Sequence, residues 1–81
     1  GTIGIDAIMS RNLDIRDNEI YECSFGGIRL TSSRNVTMEN NSFRDLGGEL
    51  LGFVYNVSAD CETVTFDGAA VAPGDSLEYH K

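Results

Sequence analysis

Apolar and polar residues alternate at every second position through most of this 81-residue chain. The clearest stretches are Leu13-Asp14-Ile15-Arg16, Val36-Thr37-Met38-Glu39 and Val64-Thr65-Phe66-Asp67. A period of two puts Leu13, Ile15, Val36, Met38, Val64 and Phe66 on one strand face and their polar neighbours on the other. A second set reads Gly4-Ile5-Asp6-Ala7, Gly27-Ile28-Arg29-Leu30 and Gly52-Phe53-Val54-Tyr55, with Ile5, Ile28 and Phe53 inward and Asp6, Arg29 and Val54 outward. A third, shorter set centres on Ile20, Phe43 and Val71. Ser76-Leu77-Glu78-Tyr79 reads as the first strand of a further, incomplete unit, with Leu77 inward and Glu78 outward. A helical reading fails, because Gly, Asn, Ser and Thr interrupt every apolar run and the i, i+3, i+4 spacing is missing.

These elements repeat. Ser33 to Phe43 is restated upstream by Ser10 to Ile20 and, more loosely, downstream by Cys61 to Val71. Gly4 to Gly27, Leu13 to Val36 and Ile20 to Phe43 are each 23 residues apart. Gly27 to Gly52 is 25, while Val36 to Val64 and Phe43 to Val71 are 28. Strands that keep register while connections absorb insertions describe a stacked solenoid. A β-sandwich also uses short alternating strands, but it predicts hairpin turns and no strict repetition of side-chain type.

On these residues, Asn35 to Phe43 and Gly26 to Leu30 above all, the chain resembles the right-handed parallel β-helix family. That family includes pectate lyases, polygalacturonases, chondroitinase- and alginate-lyase-like enzymes, mannuronan epimerases and phage tailspikes. The resemblance runs from Gly4 to Tyr79 and is specific for fold rather than activity. It implies an all-β, right-handed parallel β-helix (a β-solenoid) of about three coils, each with three short strands. It also implies a secreted, periplasmic or cell-surface setting and a polysaccharide partner lying along the sheet of first strands. Asn18 and Asn41 are expected to be corner residues, since Asn tolerates left-handed backbone and stacked amides bond coil to coil. Ala69 holds that place in the third unit and ends the ladder. Asn35 and Asn40 also stand where corners favour Asn, so the acceptor patterns Asn35-Val36-Thr37, Asn40-Asn41-Ser42 and Asn56-Val57-Ser58 are read as incidental to glycosylation.

Composition narrows the partners. Thirteen acids against six bases give a net charge of -7, which argues against nucleic acid and anionic membranes as ligands. No apolar run approaches the ~20 residues of a membrane helix. Residues 1–81 read as one β-helix segment near the lower size limit of independent stability. The chain opens on Gly1-Thr2-Ile3 and is inside the repeat by Gly4, as expected of an excised or processed piece. Without a capping helix its end coils expose strand edges, so further coils of a longer chain or a homo-oligomer are expected to cover them. Cys23 aligns with Leu46 and Cys61 with Ser33, two coils and about 10 Å apart, so both thiols are expected to be free.

Candidate chemistry is sparse. Lys81 and His80, the one lysine and one histidine, close the chain, so no Ser-His-Asp grouping can be assembled, and the paired aspartates and Gly-His-Gly segment of polygalacturonases are absent. The candidate substrate-binding residues are Asp6 and Arg29 on the outward row of the first strands, with Arg44, Asp45 and Glu49 from flanking loops that also carry Tyr21 and Glu22. By the resemblance, an arginine beside carboxylates binds or deprotonates a uronic acid, with no cofactor beyond a bridging calcium ion. The plainer account makes Asp6 and Arg29 a cross-strand ion pair. The function expected from the resemblance is a segment of a secreted polysaccharide-processing (lyase- or hydrolase-like) β-helix protein; the alternatives are a non-catalytic structural or adhesive solenoid and a glycan-binding module. No catalytic residue is assigned.

Overall fold

The computed structural model describes residues 1–49 and 51–81. Its strands are β1 (Ile3–Ile8), β2 (Arg11–Arg16), β3 (Glu19–Cys23), β4 (Gly26–Thr31), β5 (Arg34–Glu39), β6 (Ser42–Leu46), β7 (Phe53–Val57), β8 (Glu62–Phe66), β9 (Ala69–Val71) and β10 (Ser76–Glu78). They form three sheets, ordered β1-β4-β7-β10, β2-β5-β8-β9 and β3-β6. Within each sheet β1 to β8 pair in parallel, one coil above the next. The result is a parallel β-helix with two complete coils and a third that has its first two strands only.

Between the first two coils the register is the expected one. Asp6 lies beside Arg29, Leu13 beside Val36, Ile20 beside Phe43 and Cys23 beside Leu46. In the second sheet Thr37 meets Thr65 and Val36 meets Val64, again as expected. The first sheet corrects the reading of the third coil. Gly26 pairs with Phe53, Ile28 with Tyr55 and Arg29 with Asn56, so Gly27 is level with Val54 and not with Gly52.

The reason is steric. A Cβ on Gly4 would stand 2.6 Å from Cγ2 of Ile20, and one on Gly27 3.1 Å from the Phe43 ring. The third strand of each complete coil thus roofs the glycine of its first strand. The third coil has no such strand, and a valine fits where glycine was required. Gly52 is small for a different reason, since its Cβ would meet the Gly47 backbone at 2.8 Å.

The last two strands also differ from expectation. Val71 does not continue the third sheet; β9 turns back antiparallel on β8, with Val64 beside Val71 and Phe66 beside Ala69. Asp67 (φ 48°) and Gly68 (φ 86°) make the two-residue turn, the left-handed pair that suits a hairpin. Nor does β10 open a fourth coil. It runs antiparallel along β7, and Leu77, expected inward, is 40% exposed. Pro73-Gly74 reverses the chain before it, with Gly74 at φ 82° and the Asp75 N–H on the Ala72 carbonyl at 3.1 Å, a type II arrangement.

Left-handed residues mark the bends, and they too repeat. Met9 and Ser32, Asn12, Asn35 and Thr63, Asp17 and Asn40, and Glu22 and Asp45 all have φ near +50°. The residue in this conformation after the second strand is therefore Asp17 or Asn40, one place before Asn18 and Asn41. The expected amide ladder is nonetheless present, with Asn18 Nδ2 donating to Asn41 Oδ1 at 3.0 Å.

The core runs along the helix axis and is tightest in the middle coil. Ile28, Leu30, Met38 and Leu46 are wholly buried. In the first coil Ile5 and Ala7, the counterparts of Ile28 and Leu30, and Leu13, the counterpart of Val36, are half-buried, whereas Ile15 and Cys23, opposite Met38 and Leu46, stay buried. Cys23 and Cys61 are both free and buried. Cys61 fills the place of Ser33 one coil on, and its Sγ accepts the Ser33 N–H at 3.4 Å.

Candidate functional site

The five candidate residues fall into separate groups. Arg29 projects from β4 onto Asp6 of β1, with Nε to Oδ1 at 3.1 Å and Nη2 to Oδ2 at 2.7 Å. This fork-to-fork pairing follows from the register, which sets the two side chains directly opposite on the outward face. The arginine hydrogen bonds hold the Asp6 carboxyl below its ordinary pKa, against a smaller opposing effect of burial. Asn56, exposed on β7, completes the row in the place expected for Val54.

Arg44 and Asp45 lie on the third sheet, as do Tyr21 and Glu22. All four belong to strands β3 and β6, not to loops. The left-handed residues Glu22 (φ 53°) and Asp45 (φ 54°) leave Tyr21-Glu22 and Arg44-Asp45 as successive exposed pairs, the first between buried Ile20 and Cys23 and the second between half-buried Phe43 and buried Leu46. That break in alternation conceals the strands from a period-two reading. The Arg44 guanidinium lies over the Tyr21 ring at 4.1 Å. It also reaches Glu19 at 3.4 Å, Asp45 at 3.3 Å and Glu22 at 3.8 Å. Glu49 stands exposed in the turn after β6. Among the described residues no hydrogen bond or ion pair joins the Asp6–Arg29 pair to the Arg44 group or either of them to Glu49.

Two further constellations carry polar chemistry. On the second sheet, Arg16 bonds Asp14 and, at 2.9 Å, Glu39. Arg16 and Glu39, with Asp17, Asn40, Asn41 and Asp67, line an open, polar groove. Asn40 Nδ2 donates to Asp17 Oδ1 at 2.6 Å, and Asn35 Nδ2 donates to Asn12 Oδ1 at 2.7 Å. Both amides therefore serve the coil-to-coil ladders. At another corner the Ser32 and Ser58 hydroxyls both donate to Asp60. Those two hydrogen bonds, Ser32 first, hold the Asp60 carboxyl below its ordinary pKa.

The acid dependence of folding follows in sign from Asp6 and Asp60. Each binds its proton less readily folded than unfolded, so each contributes stability above the unfolded aspartate value of about 4. That contribution disappears as pH falls through the lower folded values. Urea midpoints are expected to hold steady from neutral pH down to that region and then to drop. The drop should be smaller in Asp60→Asn, whose amide does not titrate and keeps an acceptor oxygen for one of the two hydroxyls. An equal drop in the variant would place the acid sensitivity elsewhere.

No group of three or more His, Cys, Asp or Glu residues able to hold a metal ion occurs among the described residues. Among the described residues no helix is long and apolar enough to cross a membrane. A family model described as a right handed beta helix region matches residues 1–72. No curated protein and no solved structure matches the chain significantly.

Proposed function

The chain belongs to the right-handed β-helix family, and from that premise we propose that it is a non-catalytic segment of a structural or adhesive β-solenoid acting outside the cell. One observation carries this reading. Both arginines of the candidate site are held by carboxylates of their own chain, Arg29 by Asp6 and Arg44 by Glu19, Glu22 and Asp45. The outward faces are thus laced coil to coil by ion pairs and do not converge on one reacting centre. Asp6 and Asp60, whose carboxyl pKa values are lowered, favour the ionised form and make poor proton donors.

The polysaccharide-processing reading has a single supporting feature. Tyr21, 46% exposed, offers a ring with a guanidinium already stacked on it, the kind of platform on which a sugar ring could lie. The two readings part on a glycan array of acidic and neutral polysaccharides, run with and without calcium, beside an assay for unsaturated uronate products. The solenoid reading expects no product and no calcium-dependent binding. Binding of an acidic glycan that is lost in Arg29→Ala or Tyr21→Ala, with the fold intact, would overturn it in favour of a polysaccharide site.

A further inference from the structure

We infer that Arg11 and Arg34 form a site for a tetrahedral oxyanion, a phosphate or sulfate group, taken either as the free ion or as a monoester. The inference does not rest on the structural reading of the solenoid, because neither arginine belongs to the groups that carry that reading. It starts from the way coils match their charges. Stacking sets each outward charge of the first coil beside the residue 23 positions on. Asp6 meets Arg29 and Arg16 meets Glu39, opposite charges in both cases. Glu22 and Asp45 are alike in charge, but Arg44 reaches them at 3.8 and 3.3 Å.

One row breaks the rule. Arg11 and Arg34 stand directly opposite each other in the register of β2 and β5, and both are exposed. Among the described residues no carboxylate bridges them, since the ion pairs there use Arg16, Arg29 and Arg44 as their cations. Like charges directly opposite weaken the pairing of two strands, so the row opposes the fold and does not serve it.

The acids closest along the chain do not supply the missing charge. Glu62 of β8 is level with Arg34 yet forms no ion pair with it. Turned fully toward Arg34, it would neutralise one charge and leave Arg11, two coils or about 10 Å away, alone. Asp14, three places along β2, is bonded to Arg16. Asp60, two places before Glu62, accepts the Ser32 and Ser58 hydroxyls.

Geometry and charge then select the ligand. The Arg34 N–H donates to the Ser10 carbonyl at 3.0 Å and the Glu62 N–H to the Ser33 carbonyl at 3.1 Å, so the backbone under the row is fixed. The two arginine stems rise from it about 4.8 Å apart, each ending in a planar fork of N–H donors. A carboxylate has two oxygens in one plane, which a single fork saturates, and one negative charge against two positive ones. A tetrahedral group turns oxygens toward both forks at once, and a phosphate monoester brings close to two negative charges at neutral pH. A phosphodiester polymer fits less well, because its affinity depends on a longer run of cations than two.

The test follows the arginine side-chain Nε–H resonances of the 81-residue chain as inorganic phosphate, sulfate, methyl phosphate or acetate is added at constant ionic strength. Saturable shifts are expected at Arg11 and Arg34 with the tetrahedral ions, and none at Arg16, Arg29 and Arg44. Arg11→Gln and Arg34→Gln should each weaken phosphate binding about tenfold or more. Glu62→Gln, which removes the neighbouring negative charge, should strengthen it. Without added anion, Arg11→Gln should leave the urea midpoint unchanged or raise it, whereas loss of a structural arginine would lower it. Methyl phosphate binding as tightly as phosphate supports the site and identifies a terminal ester as its ligand. Binding of the free ions alone supports it as a site for an inorganic ion. Unsaturable shifts at every arginine, saturation by acetate equal to that by phosphate, or a lowered midpoint in Arg11→Gln would each overturn the inference.

Discussion

Leu30→Ala is expected to lower the stability of this chain by about 2–5 kcal/mol, a large part of what a domain of this size possesses. Leu30 has no exposed surface and pairs with Ala7 on one side and Val57 on the other. Removing the isopropyl end of its side chain loses the transfer energy of three buried carbons and leaves a cavity that coils on both sides must keep open. The same substitution at Leu13 is expected to cost clearly less. That side chain is half-buried and lies on the end coil, where one neighbour is missing and collapse around the gap is easier. Urea denaturation of the two variants, followed by strand circular dichroism, gives the comparison. Equal losses at Leu13 and Leu30 would contradict a core that is tightest in the middle coil.

The parts of the fold legible in the sequence were those fixed by uniform spacing. A constant 23-residue step set the register of Asp6 with Arg29, Leu13 with Val36 and Ile20 with Phe43, because one-residue slips would turn inward side chains outward. The same step placed Cys23 beside Leu46 and kept it from Cys61. Legibility failed where a residue type was taken as the marker in place of its surroundings. Gly52 resembles Gly4 and Gly27 in composition, yet only the latter two lie beneath a third-strand side chain.

Extending the repeat past Phe66 also hid two local signals that contradict it. Asp67-Gly68 and Pro73-Gly74 are turn pairs with a mechanism, and each sends the chain back antiparallel. Other corners were beyond reach. Met9, Glu22 and Thr63 carry no left-handed preference, and Thr63 is β-branched, yet the stacking holds all three at φ near +50°. At the candidate site, outward alternation identified the Asp6–Arg29 pair. The Arg44 group was found as residues but misplaced in a loop, because Tyr21-Glu22 and Arg44-Asp45 break the period that defines a strand.

Gly27→Ala is the sharper test of how the coils fit, because two effects of opposite sign compete there. Gly27 sits in an ordinary extended strand, not among the left-handed residues. On backbone entropy alone, alanine would stabilise by about 0.4–1 kcal/mol. The added Cβ, however, would stand 2.6 Å from the Val54 carbonyl oxygen and 3.1 Å from the Phe43 ring. The ring can tilt, but the carbonyl belongs to the neighbouring strand and moves only if the first sheet opens between β4 and β7. Overpacking of this kind costs about 1–3 kcal/mol, so destabilisation wins. Trimming the roof in the double variant Gly27→Ala/Phe43→Ala is expected not to recover the loss, since the backbone contact persists. A Gly27→Ala protein as stable as the parent would mean that β4 and β7 are not paired in this register. Val54→Ala serves as the control: with no third strand above it, the site gives up only a partly buried side chain, and the first sheet keeps its pairing.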